Sequence, residues 1–162
     1  MSDSKSRRIK RSLFVDITSA RFLEPDEIER YSKFSLLRSY FEEKRAVLDV
    51  HNTELGRDPK INADIRRLTN FGTLRAYMLN YLRNHPKIHQ DRTLIVRQLN
   101  PSPEGLPIEV YCFTNDIVWA NYEGIQSDIF DHFLAIAPEF GIRIFQNPSG
   151  ADFANLTASS RV

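Results

Sequence analysis

The chain has 162 residues, of which 41% are hydrophobic and 27% are charged, and its formal net charge is +1. This composition is typical of one folded domain with a hydrophobic core, and it excludes a chain that is disordered throughout. The near-zero net charge provides no overall basic field that would attract nucleic acid or anionic lipid. No apolar stretch approaches the roughly 20 residues that a membrane-spanning helix needs, so we expect a soluble domain.

The first part of the chain predicts a strand followed by helices. Residues 9–17 alternate between apolar and polar side chains, which is typical of a strand with one buried face. Acidic residues around Pro25 begin a stretch with helical spacing of apolar side chains, so we expect one or two helices that end near Gly56. A loop is predicted at residues 57–62, where an aspartate precedes a proline.

The middle of the chain predicts a helix and a hairpin. Thr69 can cap a helix with a regular apolar stripe, and Pro86 should stop that helix. Residues 93–99 and 107–114 are short runs rich in β-branched and aromatic side chains. Two prolines and a glycine lie between the runs, so we expect two strands joined by a long hairpin loop.

The last part of the chain predicts a helix, a strand and a tail. An apolar stripe at helical spacing runs through residues 122–136, and Gly141 is placed to end the helix in a left-handed conformation. Residues 142–146 predict a final strand. Residues 147–162 are mostly small and polar, which favours a flexible tail.

In chain order these elements form the split βαβ arrangement with an enlarged helical first crossover. We therefore predict a ferredoxin-like α+β sandwich, with helices on one face of an antiparallel sheet. The predicted organisation is a basic lead-in at residues 1–8, an α/β domain at residues 9–146 and a flexible tail at residues 147–162.

One face of the predicted sheet carries aromatic side chains that the helices would not cover. The alternation places Phe14 of the first strand with Tyr111 and Phe113 of the third strand on that face. Contiguous exposed apolar area usually marks a contact site. We therefore expect either a neighbouring subunit or the enlarged crossover to cover these three residues.

Histidines and carboxylates provide no convincing metal site. His85 and His89 have the spacing of two ligands on one helix face, but Pro86 interrupts that helix and no third ligand lies nearby in the sequence. We interpret both histidines as structural, in capping or surface hydrogen bonds. Asp128 and His132 lie four residues apart on a predicted helix, which favours a solvated ion pair.

No pattern of residues indicates an enzyme. Cys112, the single cysteine, lies in an apolar alternating run where a buried, unreactive thiol is expected. The sequence contains neither a Gly-x-Ser-x-Gly motif nor a glycine-rich phosphate loop. We therefore predict no catalytic residues, no metal and no cofactor.

An RNA-binding domain remains the alternative interpretation. RNA-recognition domains share this order of elements and stack bases on aromatic residues of their first and third strands, where Phe14, Tyr111 and Phe113 lie here. However, the third strand lacks the basic-Gly-aromatic signature, and Glu109 shares the aromatic face. The low net charge also gives little attraction for phosphates, so we expect no nucleic-acid partner.

Longer stretches of the sequence resemble a known family. These stretches are RRIKRSLFVDITSARFL, LTNFGTLRAYMLNYLRNHPKIHQDRTLIVRQL, EGLPIEVYCFTN and YEGIQSDIFDHFLAIAPEFGIRIFQNPSGADF. In matching order they resemble the C-terminal cytosolic domain of the miniconductance branch of the small-conductance mechanosensitive channels. The strings YLRNHPKIHQD and GIQSDIFDHFLA are the most specific.

The resemblance implies a homoheptameric channel of the bacterial inner membrane that opens under membrane tension during osmotic downshock. This domain would form part of a perforated cage on the cytoplasmic side, and its partner would be further copies of itself. The resemblance also implies that the pore-lining helices, and the compact β domain that precedes the α/β domain in the family, are not in this chain.

Two stretches depart from the family pattern. Residues 24–62 are longer than the single helix that typical members have after the first strand, so we expect an additional layer on the cage. Residues 151–162 lack the sustained apolar alternation of the terminal strand with which typical members form a sevenfold barrel. We therefore expect no such barrel here.

Overall fold

The structure is a computed structural model that describes residues 5–54 and 67–146. The described strands and helices are β1 Arg7–Val15, α1 Pro25–Ser32, α2 Arg38–Glu54, α3 Asn70–Arg83, β2 Ile95–Gln98, β3 Leu106–Thr114 and α4 Trp119–Ile136. Short 3-10 turns follow β1 at Ile17–Ser19 and α4 at Ala137–Phe140. This order confirms the predicted α+β class, with two helices in the enlarged first crossover.

The three strands form an antiparallel sheet in the order β1, β3, β2. A fourth position beside β1 is occupied by a single bridge between Val15 and Ile144, flanked by hydrogen bonds from the backbone N–H of Asp16 and of Phe145. The predicted last strand at residues 142–146 is therefore much shorter than expected. The strand order is nevertheless that of the split βαβ arrangement.

Two boundaries of β1 differ from the prediction. The strand begins at Arg7, two residues early, and ends at Val15, although the alternation continues to Ile17. Asp16 ends the strand because its carboxylate accepts a hydrogen bond from the backbone N–H of Thr18, at 2.9 Å, and caps a 3-10 turn. Ile17 is consequently 49% exposed instead of lying in the core.

Helices α3 and α4 cover one face of the sheet, which we call the closed face. Ile9 of β1 and Val110 of β3 are fully buried there. Arg11 interrupts the apolar set on this face as the sequence indicated, and its guanidinium lies 4.4 Å from the ring centroid of Phe130 at the edge of α4. The helices contribute a set of buried apolar side chains to this core: Leu74, Met78, Leu82, Ile129 and Phe133.

The described part of the enlarged crossover packs on the helical layer and not on the sheet. The hydroxyl of Tyr31 in α1 donates a hydrogen bond to the backbone O of Glu139 at 2.8 Å, and its ring contacts that of Phe140. Between α1 and α2, the backbone O of Leu36 accepts a hydrogen bond from the side chain of Asn80 in α3. The crossover therefore covers α3 and the turn after α4, as the additional layer we expected.

Glycine supplies two left-handed conformations that the fold requires. Gly141 has φ of 69° at the end of the turn after α4, where the sequence predicted a left-handed stop. Gly105 has φ of 102° in the hairpin loop, and a Cβ there would approach the backbone O of Val15 to 2.8 Å. The hairpin loop thus lies directly against the end of β1.

Some predictions concern residues outside the described ranges. The loop at residues 57–62, the tail at residues 147–162 and the first half of the lead-in at residues 1–8 belong to this group. Among the helices that the structure describes, none has both the length and the apolar character required to cross a bilayer.

Candidate interface on the open face of the sheet

The face of the sheet opposite the helices is formed by alternate residues of the three strands. Register places Lys10 across from Tyr111 and Arg8 across from Phe113, so these side chains lie on the same side of the sheet. We call this side the open face and define it by its strand residues: Arg8, Lys10, Ser12, Phe14, Ile95, Arg97, Pro107, Glu109, Tyr111 and Phe113.

The three aromatic residues predicted for this face all lie on it and are half-buried. Tyr111 and Phe113 contact each other with ring centroids 5.7 Å apart and nearly perpendicular planes. Phe14 pairs with Pro107, which is four residues and therefore roughly 13 Å along β3 from Tyr111. The structure thus brings two of the three rings together and places the third at the opposite end of the face.

Guanidinium groups cover parts of the aromatic pair. Arg92 lies 4.0 Å from the ring centroid of Phe113, and Arg8 lies 5.9 Å from that of Tyr111. Both distances are within the range of cation–π attraction. Arg92 precedes β2 in the chain, so no strand periodicity could assign it to this face, and the sequence analysis missed it.

An ion pair with a buried carboxylate occupies the centre of the open face. Glu109 is only 5% exposed; its Oε1 accepts a hydrogen bond from Nε of Arg97 at 3.0 Å and lies 2.9 Å from Nη2 of the same guanidinium. The side chain of Arg97 is 57% exposed, so the carboxylate is buried while its partner remains in contact with solvent. The aromatic pair therefore lies beside an ion pair and beneath the guanidinium groups of Arg8 and Arg92.

The open face also retains exposed apolar surface at one edge. Ile95 of β2, which lies opposite Tyr111 in the register, is 45% exposed. The described hydrogen bonds of the crossover are made with the helical layer instead. Within the described ranges, helices α3 and α4 lie on the other side of the sheet.

The histidines that were considered as metal ligands act in local turns. His85 Nδ1 accepts a hydrogen bond from the backbone N–H of Lys87 at 3.0 Å, and His89 Nδ1 accepts one from that of Asp91 at 3.2 Å. These contacts confirm the structural interpretation of both residues. In residues 5–54 and 67–146, no cluster of His, Cys, Asp or Glu side chains could hold a metal ion.

The predicted pair between Asp128 and His132 is wrong. The ring of His132 lies between α3 and α4, with Nε2 2.7 Å from the hydroxyl of Tyr77 and the ring stacked on Tyr81 at 4.3 Å. Burial lowers the pKa of His132, which favours the neutral imidazole in this contact. The helical spacing was compatible with an ion pair, but packing against α3 turns the ring away from solvent.

Cys112 is fully buried on the closed face, as the alternating run predicted. Burial raises the pKa of its thiol to about 12, so the thiolate that would act as a nucleophile is not formed at neutral pH.

Parts of the sequence are similar to a known protein family and to a known protein. Residues 74–144, from α3 to the bridge beside β1, match the family described as "Mechanosensitive ion channel MscS, C-terminal". A 60-residue segment is 38% identical to the "Low conductance mechanosensitive channel YnaI" of Escherichia coli (strain K12), covering 37% of this chain and 18% of that protein. The matching family is one of ion channels and not of enzymes. Residues 74–144 are therefore similar to the C-terminal domain of MscS-type mechanosensitive channels, and the chain spans less than a fifth of the length of this relative.

Proposed function

We propose that this chain is the cytosolic cage domain of a homoheptameric channel that opens under membrane tension during osmotic downshock. The observation that carries the proposal is the match of residues 74–144 to the C-terminal domain of MscS-type channels. In this proposal the domain lies on the cytoplasmic side of the bacterial inner membrane, and membrane-spanning segments outside this chain conduct the ions. We also propose the division predicted from the sequence, with the α/β domain at residues 9–146 between a lead-in and a tail, although β1 begins two residues earlier, at Arg7.

The open face acts in this proposal as the contact with neighbouring subunits. It combines half-buried rings at Tyr111 and Phe113 with exposed apolar surface at Ile95, a mixture that is common in protein interfaces. The described part of the crossover packs elsewhere. A ring of identical subunits requires each open face to meet a different surface of the next copy, in a head-to-tail contact.

A role of the same face in RNA binding has less support. Bases would stack on the rings of Tyr111 and Phe113, but guanidinium groups of this chain already lie over both rings. The third strand, LPIEVYCFT, also lacks the basic-Gly-aromatic signature of RNA-recognition domains.

The proposal can be tested in bacterial cells that lack their own tension-activated channels. Production of the complete protein carrying this domain should restore survival of osmotic downshock and should give tension-activated currents in membrane patches. The double variant Tyr111→Ala with Phe113→Ala should reduce both. Absence of survival and of currents with the unmodified protein would contradict the channel function. RNA affinity that falls in the double variant, with unchanged currents, would favour the RNA-binding alternative.

A further inference from the structure

We propose that the open face of one copy packs against the outer face of α4 of the next copy. This inference rests on the proposed function, because it names the surface that meets the open face in the ring. It is carried by three observations on the described residues: α4 has an uncovered flat face, the two faces have opposite charge, and exposed apolar side chains lie at both ends of α4.

The outer face of α4 is the part of the helical layer that the crossover leaves uncovered. Helices α1 and α2 lie over α3 and over the turn after α4, through contacts such as Phe34 with Tyr77 and Asn80 with Leu36. In the described residues, the outer face of α4 receives no such layer and its side chains are exposed. Within residues 5–54 and 67–146, the open face of the sheet lies on one side of the domain and the exposed outer face of α4 lies on the other.

The outer face of α4 is shallow enough to lie against a sheet. Ala120, Gly124, Ser127 and Asp131 are all exposed and follow one another at intervals of four, three and four residues, which places them on one stripe of the helix. A Cβ at Gly124 would meet no atom within 4 Å. A neighbouring surface can therefore approach the helix backbone closely.

The two faces carry opposite charge. The open face and the guanidinium above Phe113 provide four cations and one carboxylate, namely Arg8, Lys10, Arg92, Arg97 and Glu109. Helix α4 provides three carboxylates and no lysine or arginine: Glu123, Asp128 and Asp131. Opposite potentials of this kind orient two surfaces and set the register of their contact.

Exposed apolar side chains extend the outer face of α4 at both ends. Ile117, Val118 and Trp119 at its beginning are 46%, 56% and 61% exposed, and Leu134 near its end is 40% exposed. They provide the apolar component that would pack on Ile95 and on the ring edges of the open face. The geometry therefore points to a second copy of this chain as the partner that covers the open face. Sheets and helices of successive copies would then alternate around the ring.

Cross-linking in the assembled channel tests this pairing directly. Ser12→Cys marks the open face and Ser127→Cys marks the outer face of α4, in a protein whose cysteines outside this domain have been replaced. Cys112 is buried and unreactive, so it adds little background. A short bismaleimide should give a ladder of linked subunits from the double variant, because a head-to-tail contact joins every copy to the next, and should give no ladder from either single variant.

Charge reversal provides the matched control. Arg8→Glu with Lys10→Glu, or Asp128→Lys with Asp131→Lys, should each reduce the cross-linked fraction about tenfold, and the two reversals combined should restore it. Glu42→Lys with Glu43→Lys reverses two exposed carboxylates on α2 and should leave the ladder unchanged.

The outcomes separate this inference from the proposed function. Dimers formed by the Ser12→Cys variant alone would show that open faces meet each other, which would overturn the pairing. If the double-cysteine variant gives no ladder while Tyr111→Ala with Phe113→Ala still disrupts assembly, the open face is a subunit contact and α4 is not its partner. If neither change has an effect, the open face is not a subunit contact and this inference fails, while the channel function is decided by the survival and current measurements.

Discussion

The two faces of the same three-stranded sheet differ in burial and in composition. Along β3, Ile108, Val110 and Cys112 point to the closed face and are fully buried by α3 and α4. The intervening residues Glu109 and Tyr111 point to the open face, which carries an ion pair and an aromatic pair on the side of the sheet opposite α3 and α4. Because neighbouring residues of one strand lie on opposite faces, substitutions should change the stability of the domain and the proposed contact with a partner separately.

The largest predicted effect concerns burial on the closed face. Ile108 is fully buried between sheet and helices, so Ile108→Ala should lower the free energy of unfolding by about 2–5 kcal/mol. Ile95→Ala is the matched control, because it removes the same atoms from the open face, where the side chain is 45% exposed, and should cost less than about 1 kcal/mol. Urea denaturation measures both. Equal losses would show that the open face is packed within one chain.

A smaller loss of unfolding free energy is predicted for the ion pair on the open face, and the loss should differ between substitution of the cation and substitution of the carboxylate. Arg97→Met leaves the carboxylate of Glu109 buried without a partner, which should cost about 2 kcal/mol. Glu109→Gln leaves only an exposed guanidinium, so it should cost about half as much. Equal destabilisation in thermal melts would contradict the buried position of the carboxylate.

The smallest predicted effect lies away from both faces, at the start of α1. Two hydrogen bonds from the guanidinium of Arg21, each 2.6 Å long, lower the pKa of Glu27 from its usual 4.5 to about 2. The folded pKa lies below the unfolded value, so the pair stabilises the domain fully above pH 4.5 and this contribution is lost as the pH falls towards 2.

The contribution of this pair should be about 1 kcal/mol, because the side chain of Arg21 is 42% exposed and solvent screens the attraction. Glu27→Gln should therefore flatten the acid limb of a stability–pH curve while leaving the contrast between the two sheet faces unchanged. An acid limb identical to that of the unmodified chain would show that the pair contributes nothing.

Much of the fold could be predicted because periodicity reports directly on which side chains face the core. The alternation in β1 and β3 correctly placed Ile9 and Val110 on the face that the helices cover. It also correctly placed Phe14 on the opposite face. Thr69 was correctly assigned as the cap of α3, since its side chain accepts a hydrogen bond from the backbone N–H of Gly72. These features depend on local geometry that a few neighbouring residues determine.

Features that depend on distant residues were not predictable in the same way. The alternation could not show that Asp16 would end β1, because an aspartate at that position also fits a strand. Nothing in the spacing of α4 indicated that His132 would pack against Tyr77 from α3. Likewise, the position of Arg92 over Phe113 depends on the path of the chain before β2. The composition of the candidate interface was therefore only partly visible in the sequence.

The most direct test of the account is the mass of the complete channel protein after extraction from membranes, with and without the aromatic pair of the open face. If the proposed heptamer forms through the open face, Tyr111→Ala with Phe113→Ala should change it into smaller species, while the domain alone keeps most of its thermal stability, because both rings are only half-buried. The control Val47→Ala with Val50→Ala removes exposed apolar surface from α2 and should leave the heptamer intact. An unchanged heptamer in the aromatic variant would contradict the claim that the open face is the subunit contact.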